Sequence, residues 1–134
     1  MTKLGLNVRN FGPAAAPEHF RSWARFAEDN GFALALISDH VALTPEVNAI
    51  YPTPFYDPFI MLAWMAEQTQ RLELGTSVAI LLLRDPLLVT QLAANLDQLS
   101  GAGSFLALAP VGRDRSTRRS ACRSKNVDGS STST

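Results

Sequence analysis

Cysteine and histidine are scarce in this sequence, and their scarcity limits the chemistry that it can carry. The 134 residues include one cysteine and two histidines. A single cysteine excludes an internal disulfide framework and is typical of a reducing compartment, so we expect a cytoplasmic location. The two histidines, His19 and His40, are far apart in the chain and belong to no Cys/His cluster, so we expect no metal site.

Net charge and long apolar runs are also lacking, which limits the partners. Residues 1–111 hold six basic and ten acidic residues, a net charge of −4, whereas residues 112–134 hold six basic and two acidic ones, a net charge of +4. A mildly acidic body suits neither nucleic acid nor an anionic membrane, so we expect neither as a partner. The longest apolar run, residues 78–83, is too short to span a bilayer, and the N-terminal pattern is not that of a signal peptide.

What is present is an alternation of strand and helix patterns. Four strands are predicted, at residues 4–8, 33–37, 72–79 and 104–111. One helix is predicted from Pro17 to a stop at Gly31, and two more open at the cap-and-proline pairs Asp57-Pro58 and Asp85-Pro86. Residues 41–56, with three prolines, are predicted to form a long loop. The third helix is predicted to bury one stripe: Leu88, Val89, Leu92, Ala93, Leu96 and Leu99.

This order of elements predicts an α/β fold with a parallel sheet. Two architectures compete at this point, an open doubly wound sheet and a (β/α)8 barrel. The first strand is not followed by a G-x-G-x-x-G turn, which argues against a Rossmann dinucleotide site. A complete barrel typically has about 250 residues, so four β/α units are about half of one.

The segment LALISDHVAL, residues 34–43, places a carboxylate and an imidazole where a predicted strand ends. In both architectures the chemistry lies at the carboxyl ends of the strands. His40 can transfer a proton near neutral pH, and Asp39 beside it could orient the ring or raise its basicity. The alternative is that Asp39 is a turn residue and His40 a solvated loop side chain.

The third predicted strand is interrupted by Gly75, Thr76 and Ser77. One permissive backbone and two hydroxyl groups suit a β-bulge or a close approach by a ligand. An ordinary strand, whose Thr and Ser face a neighbouring helix, is the alternative.

At this point the sequence resembles a known family. The resemblance runs from about Lys3 to Gly101 and is carried by three segments: LGLNVRNFGP, GFALALISDHVAL and YDPFIMLAWMAEQTQRLELGTSVAILLLRDPLLVTQLAANLDQLSG. Their order and spacing are similar to the N-terminal half of the luciferase-like monooxygenase family, and most similar to its branch that uses the deazaflavin coenzyme F420.

The resemblance implies a partial (β/α)8 TIM barrel of about four units, with a flavin or deazaflavin ring across the carboxyl ends of the strands. It implies hydride transfer between this ring and a small organic substrate, with coenzyme F420 as cofactor and FMN as the alternative. His40 is then the catalytic proton donor or acceptor, and Asp39 lies beside the ring. Thr76, Ser77 and Val78 are implied to bind the cofactor, with a bulge and a non-prolyl cis peptide at Ser77-Val78 behind the ring.

After Gly101 the sequence departs from the family pattern. We expect a domain at residues 1–111 and a basic, Ser/Arg-rich, disordered tail at residues 112–134, produced by a lost reading frame or a truncated gene. Such a chain would be weakly active or inactive. The alternative is a non-catalytic remnant that forms homo-oligomers or aggregates through apolar side chains that need a partner: Leu81, Leu82, Leu83, Phe59, Met61 and Met65.

Overall fold

The elements of the chain follow one another as alternating strands and helices. A computed structural model of the protein describes residues 2–101 and 103–109. Its elements are β1 (Gly5–Val8), α1 (Pro17–Asp29), β2 (Leu34–Ile37), α2 (Pro45–Ile50), α3 (Pro58–Ala66), β3 (Glu73–Ile80), a 3-10 turn (Leu81–Leu83), α4 (Pro86–Ser100) and β4 (Ser104–Ala109). The last two residues of the predicted fourth strand and the whole predicted tail, 112–134, lie outside the described residues.

Local sequence explains where the helices begin and end. Asp57 and Asp85 cap α3 and α4, because one carboxylate oxygen of each accepts two backbone N–H groups of the first turn. Gly31, with a φ of 72°, follows α1 as predicted. Helix α3 is shorter than predicted, because the N–H of Gln68 turns back to the carbonyl of Met65 in a tight i to i−3 bond.

Residues 41–56 are not a plain loop, so that prediction was wrong for residues 45–50. The Thr44 hydroxyl accepts a hydrogen bond from the Val47 N–H at 3.4 Å, and Pro45 occupies the first turn of α2. Thr-Pro therefore opens α2 by the same device that Asp-Pro uses elsewhere in this chain.

The sheet is parallel, and its strand order is β1-β2-β3-β4. Each new strand adds beside the previous one, which is the winding of a (β/α)8 barrel. A doubly wound sheet would reverse its direction at a switch point, so the open alternative is excluded. The predicted partial TIM barrel is confirmed.

The core lies between the sheet and the helices on one side of it. Val8, Ile37 and Leu74 point from the strands toward Phe20 of α1 and Leu62 of α3. Side chains alternate along a strand, so the opposite face of the sheet carries the residues between these, including Asn7 and Leu36.

Two predictions about apolar side chains were wrong in part. Leu82 is 70% exposed, as expected of a side chain that needs a partner, but Phe59, Met61 and Met65 are buried within the chain and need none. In α4, Leu88 and Leu99 are 51% and 66% exposed instead of buried. The buried arc of α4 is narrower than its apolar stripe, since the helix packs on the described part of the chain along Val89, Leu96 and Ser100.

Membrane-spanning helices are not found among residues 2–101 and 103–109: every helix there is too short or too polar to cross a bilayer.

Candidate functional site

The two candidate segments of the sequence lie at the same edge of the sheet. Ile37 pairs with Thr76, so Ser38, Asp39 and His40 leave β2 at the level where β3 reaches Ser77 and Val78. A hydrogen bond joins the two segments directly, because the Ile80 N–H donates to Asp39 Oδ2 at 2.9 Å.

Strand β3 is irregular at this level. Its register with β4 shifts between Thr76 and Ala79, which confirms the predicted bulge. The Ser77–Val78 peptide is cis, as the family resemblance implied. The Asn7 side-chain amide of β1 donates to Ser77 Oγ at 3.3 Å, and Val78 is 39% exposed while Thr76 is buried. Ser77 of the kinked segment is thus bonded to β1, two strands away in the sheet, and the Val78 side chain is partly exposed.

Asp39 is held by an arginine that the sequence reasoning did not single out. Arg84 donates from Nε to Asp39 Oδ2 at 3.0 Å and from Nη2 to Asp39 Oδ1 at 2.8 Å. Arg84 Nη2 also donates to Asp57 Oδ2 at 2.7 Å, and the guanidinium lies 5.2 Å from the centre of the Phe59 ring. The Asp39 side chain has no exposed surface, so this is a buried, bidentate ion pair.

Within this cluster, the pKa of Arg84 is raised. Its hydrogen bonds to Asp39 are the largest cause that raises the pKa of Arg84 above its ordinary value, burial opposes the rise, and the bond to Asp57 adds to it. Arg84 is therefore a permanent cation that joins the loop after β2, the start of α3 and the segment after β3. The signal in the sequence was a lone arginine between the apolar run 81–83 and the Asp85 cap.

A second residue missed by the sequence reasoning is Asn10. It is fully buried just after β1, and its Nδ2 donates to the carbonyls of Ser38 at 2.9 Å and Tyr56 at 2.7 Å. Its Oδ1 has no hydrogen-bond partner among the described residues. Asn10 thereby fixes the end of β1 to the chain on either side of His40.

His40 is surrounded by aromatic rings rather than by hydrogen-bond partners. Its ring centre lies 4.7 Å from that of Tyr51, with the planes at 34°, and 5.3 Å from that of Phe55, with the planes at 90°. Within residues 2–101 and 103–109 its imidazole takes part in no hydrogen bond or ion pair. Because Asp39 directs its oxygens to Arg84 and the Ile80 N–H, the suggestion that Asp39 orients the imidazole was wrong.

The arrangement brings four of the five predicted site positions together as a contiguous edge. At this edge the Asp39 side chain is buried in an ion pair, the His40 ring lies against aromatic rings, and Ser77 and Val78 form the kink. Thr76 is the fifth position, and its burial places it behind the kink. The edge therefore combines an imidazole with apolar and aromatic side chains, and the roles of these residues stay predictions.

Known proteins share this sequence pattern. The family model described as luciferase-like monooxygenase matches residues 4–119. A Mycobacterium tuberculosis protein named as a coenzyme F420-dependent oxidoreductase is 34% identical over 110 residues, which are 82% of this chain and 28% of that protein. The chain therefore spans less than a third of that relative.

Solved structures share the fold. One is the coenzyme F420-dependent tetrahydromethanopterin reductase of Methanopyrus kandleri, with a TM-score of 0.65 and 23% identity over 89% of this chain and 29% of that one. Another is the oxygenating constituent of 3,6-diketocamphane monooxygenase of Pseudomonas putida in complex with FMN, with a TM-score of 0.67 and 18% identity over 87% of this chain and 32% of that one. At these identities the likeness shows the fold alone. With the family match over residues 4–119, it follows that the chain belongs to the luciferase-like monooxygenase family.

Proposed function

We propose that this chain forms the ring-facing edge of a deazaflavin- or flavin-dependent oxidoreductase that acts on a small organic substrate. One observation carries the proposal: the His40 segment and the Ser77–Val78 kink lie at the same edge and are joined by the 2.9 Å bond from Ile80 N–H to Asp39. Had the two segments been at opposite ends of the sheet, no single pocket could use both. Family membership supports the reaction class.

Coenzyme F420 is the cofactor that we propose, with FMN as the alternative. The named function of the Mycobacterium tuberculosis relative and of the Methanopyrus kandleri reductase supports F420, and the Pseudomonas putida complex supports FMN. The whole reaction belongs to proteins of about three times this length, so full activity of this chain is part of the proposal. A cytoplasmic location, from the single cysteine, is proposed with it.

The residues at the edge fit a planar, mostly apolar ring with polar groups along one side. Val78 offers an exposed apolar surface on the kink, and the Asn7 amide and Ser77 hydroxyl give that surface a polar border. The bound cofactor would supply the hydride chemistry, and the protein supplies binding and orientation. In this scheme Ser77 and Val78 form the contact, the buried Thr76 supports them from within the sheet, and Asp39 keeps the kink in place through Ile80 and Arg84.

His40 would handle the proton that accompanies the hydride. Its imidazole has both nitrogens free of hydrogen bonds to described residues, so one can face a substrate oxygen while the ring is held by its aromatic neighbours. A half-buried position also limits the access of water to that proton.

The binding experiment is a titration of the purified 134-residue protein with coenzyme F420 and, separately, with FMN, followed by fluorescence quenching of the ring. Saturable binding of either supports the proposal, and preference for F420 supports the cofactor assignment. If neither binds, the proposed function is wrong for this chain.

Replacing His40 by Asn tests its role. His40→Asn should lower turnover of the cofactor with a panel of secondary alcohols and sugar phosphates by about 100-fold or more, with cofactor affinity unchanged, because only the proton transfer is lost. The matched control is His19→Asn, since His19 is the other histidine and packs against Phe20 and Trp23 on α1. Equal turnover in both variants would remove the role assigned to His40.

A non-catalytic chain that associates with itself is the second candidate. The observation in its favour is the exposure of large apolar side chains on the described part of α4 and the turn before it, including Leu82, Leu87 and Leu99. The titration separates the two candidates, because only the first requires a bound cofactor. The truncation by a lost reading frame also stays a prediction, and sequencing the surrounding locus in all frames tests it.

A further inference from the structure

We propose that Tyr51 is a positioning residue for the imidazole of His40. The proposal rests on the proton-handling role proposed for His40 and adds the group that fixes its ring. Neither the SDH pattern nor the cap-and-proline signals pointed to Tyr51, which lies in a segment that the sequence predicted to be a loop.

The contacts of His40 define the position of its ring from two directions. Tyr51 lies 4.7 Å away in a tilted, face-to-face arrangement, and Phe55 meets the imidazole at 90° from 5.3 Å. The contact with the face of Tyr51 limits rotation of the imidazole about its Cβ–Cγ bond. The perpendicular contact with Phe55 limits movement of the imidazole within its own plane. No described residue hydrogen-bonds the imidazole, and Tyr51 and Phe55 are its ring contacts among the described residues.

Helix α2 places Tyr51 with little freedom. Tyr51 is the C-cap of this helix, and its N–H donates to the Val47 carbonyl at 2.8 Å. The Thr44 hydroxyl caps the other end of α2. Just after Tyr51, the Thr53 N–H donates to Asn48 Oδ1 at 2.9 Å, so the chain is tied back to α2 on both sides of the tyrosine.

A second layer supports the rings from behind. Phe11 meets Tyr51 edge-on at 5.2 Å and stacks on Phe55 at 5.4 Å. Phe11 and Phe55 also form an antiparallel backbone bridge, and the Gly12 N–H donates to the Pro54 carbonyl at 2.9 Å. The loop after β1 therefore braces the aromatic pair that holds His40.

The geometry points to positioning of the imidazole and not only to packing. His40, Tyr51 and Phe55 are all half-buried, so the cluster is open on one side and does not fill a closed core. Arg9 lies over the Phe11 ring, with its guanidinium 4.7 Å from the ring centre, so Phe11 is itself held in place behind Tyr51 and Phe55.

The test is NMR of the cofactor-free protein with labelled histidines. Tyr51→Leu should move the imidazole C–H resonances of His40 downfield, because the ring current of the tyrosine is removed, and Tyr51→Phe should leave them nearly unchanged. His19, on α1, is the internal control and should not move in either variant. A His40 resonance that is the same in Tyr51→Leu and the wild type would overturn the proposal.

Kinetics give the second readout. Tyr51→Leu should lower kcat about tenfold without changing the affinity for F420, since a displaced proton donor costs rate and not binding, and Tyr51→Phe should restore the rate. If Tyr51→Leu unfolds the protein, Tyr51→Met keeps similar apolar bulk without the ring and is measured instead. Absence of cofactor binding would reject the proposed function, and normal turnover of His40→Asn would reject the proton-handling role of His40. An unperturbed His40 in Tyr51→Leu or Tyr51→Met would reject only the positioning role of Tyr51.

Discussion

Arg84 joins two carboxylates at the candidate edge through three charged hydrogen bonds. It makes a bidentate contact with Asp39, whose side chain is completely buried, and a third bond to Asp57. A buried charge is tolerated only when it is paired, so the position of Asp39 depends on this arginine. The loop after β2, which carries His40, is thereby fixed by a residue 45 positions away from Asp39.

Replacing Arg84 by Met should destabilise the protein by about 3–5 kcal/mol, because Asp39 would keep its charge without its partner. Urea unfolding followed by circular dichroism measures the change. The free energy of unfolding of Arg84→Lys should lie between those of Arg84→Met and the wild type, since an ammonium group keeps the charge but cannot make the paired hydrogen bonds of a guanidinium.

The exposed pair Lys3–Glu73 provides the matched control for this prediction. The Lys3 and Glu73 side chains are 74% and 40% exposed, and Lys3 Nζ lies 2.9 Å from Glu73 Oε1, so Lys3→Met should cost only about 0–1 kcal/mol. Equal effects of Lys3→Met and Arg84→Met would contradict the buried-pair interpretation.

The pH dependence of the Arg84 contribution has a definite sign. Folding raises the pKa of Arg84, so its stabilisation is complete below the pKa of arginine in the unfolded chain. The contribution is lost only as the pH rises through the raised value, so we expect it to persist through the ordinary alkaline range.

At the scale of elements, two helices begin in the same way but have different surroundings. Asp57 Oδ1 accepts bonds from the N–H groups of Phe59 and Ile60, and Asp85 Oδ1 does so from those of Leu87 and Leu88. Only Asp57 also receives a bond from Arg84. The first cap therefore ties α3 to the candidate edge, whereas the second serves α4 alone.

Alanine substitution of the two caps should separate these roles. Asp85→Ala should cost about 1 kcal/mol, the usual value of a cap, and Asp57→Ala should cost about 1–2 kcal/mol more, because a charged hydrogen bond is lost as well. Thermal and urea unfolding measure both. When each substitution is combined with Arg84→Met, the loss of stability from Asp57→Ala should not add to that from Arg84→Met, whereas the loss from Asp85→Ala should add to it. Additive losses in both double variants would contradict a link between α3 and the edge.

At the scale of the whole molecule, the described chain covers one face of its sheet with helices and leaves large apolar side chains on the outside of α4. Leu87 is 82% exposed in its first turn and Leu99 is 66% exposed in its last. Large apolar side chains that are exposed to solvent favour association with another protein surface.

We predict that the purified chain associates with itself as its concentration rises. Light scattering after size-exclusion chromatography should give masses above the monomer value of 14.5 kDa, and Leu87→Lys should shift the distribution toward that value. Ile50→Lys on α2 is the control, because Ile50 is also exposed but lies on another helix and should leave association unchanged. A compact monomer at every concentration would show that the prediction is wrong.

Local sequence was sufficient for much of the fold. The Asp-Pro pairs marked the starts of α3 and α4, Gly31 marked the end of α1, and alternating strands and helices predicted a parallel sheet. These features depend on residues within one or two turns of each other, so they can be recognised in the sequence alone. Helix α2 was missed because the three prolines of residues 41–56, of which only Pro45 lies in the helix, outweighed a cap that uses Thr instead of Asp.

The position of His40 at a strand end followed from the sequence, but its surroundings did not. Asp39 is its neighbour in sequence, yet the carboxylate turns away to Arg84, and the rings of Tyr51 and Phe55 take its place beside the imidazole. The sequence by itself determined which elements form and in what order, because caps, periodicity and turns act over a few residues. Only the tertiary structure decided which charges pair and which rings meet, because those contacts join segments that are brought together when the sheet assembles.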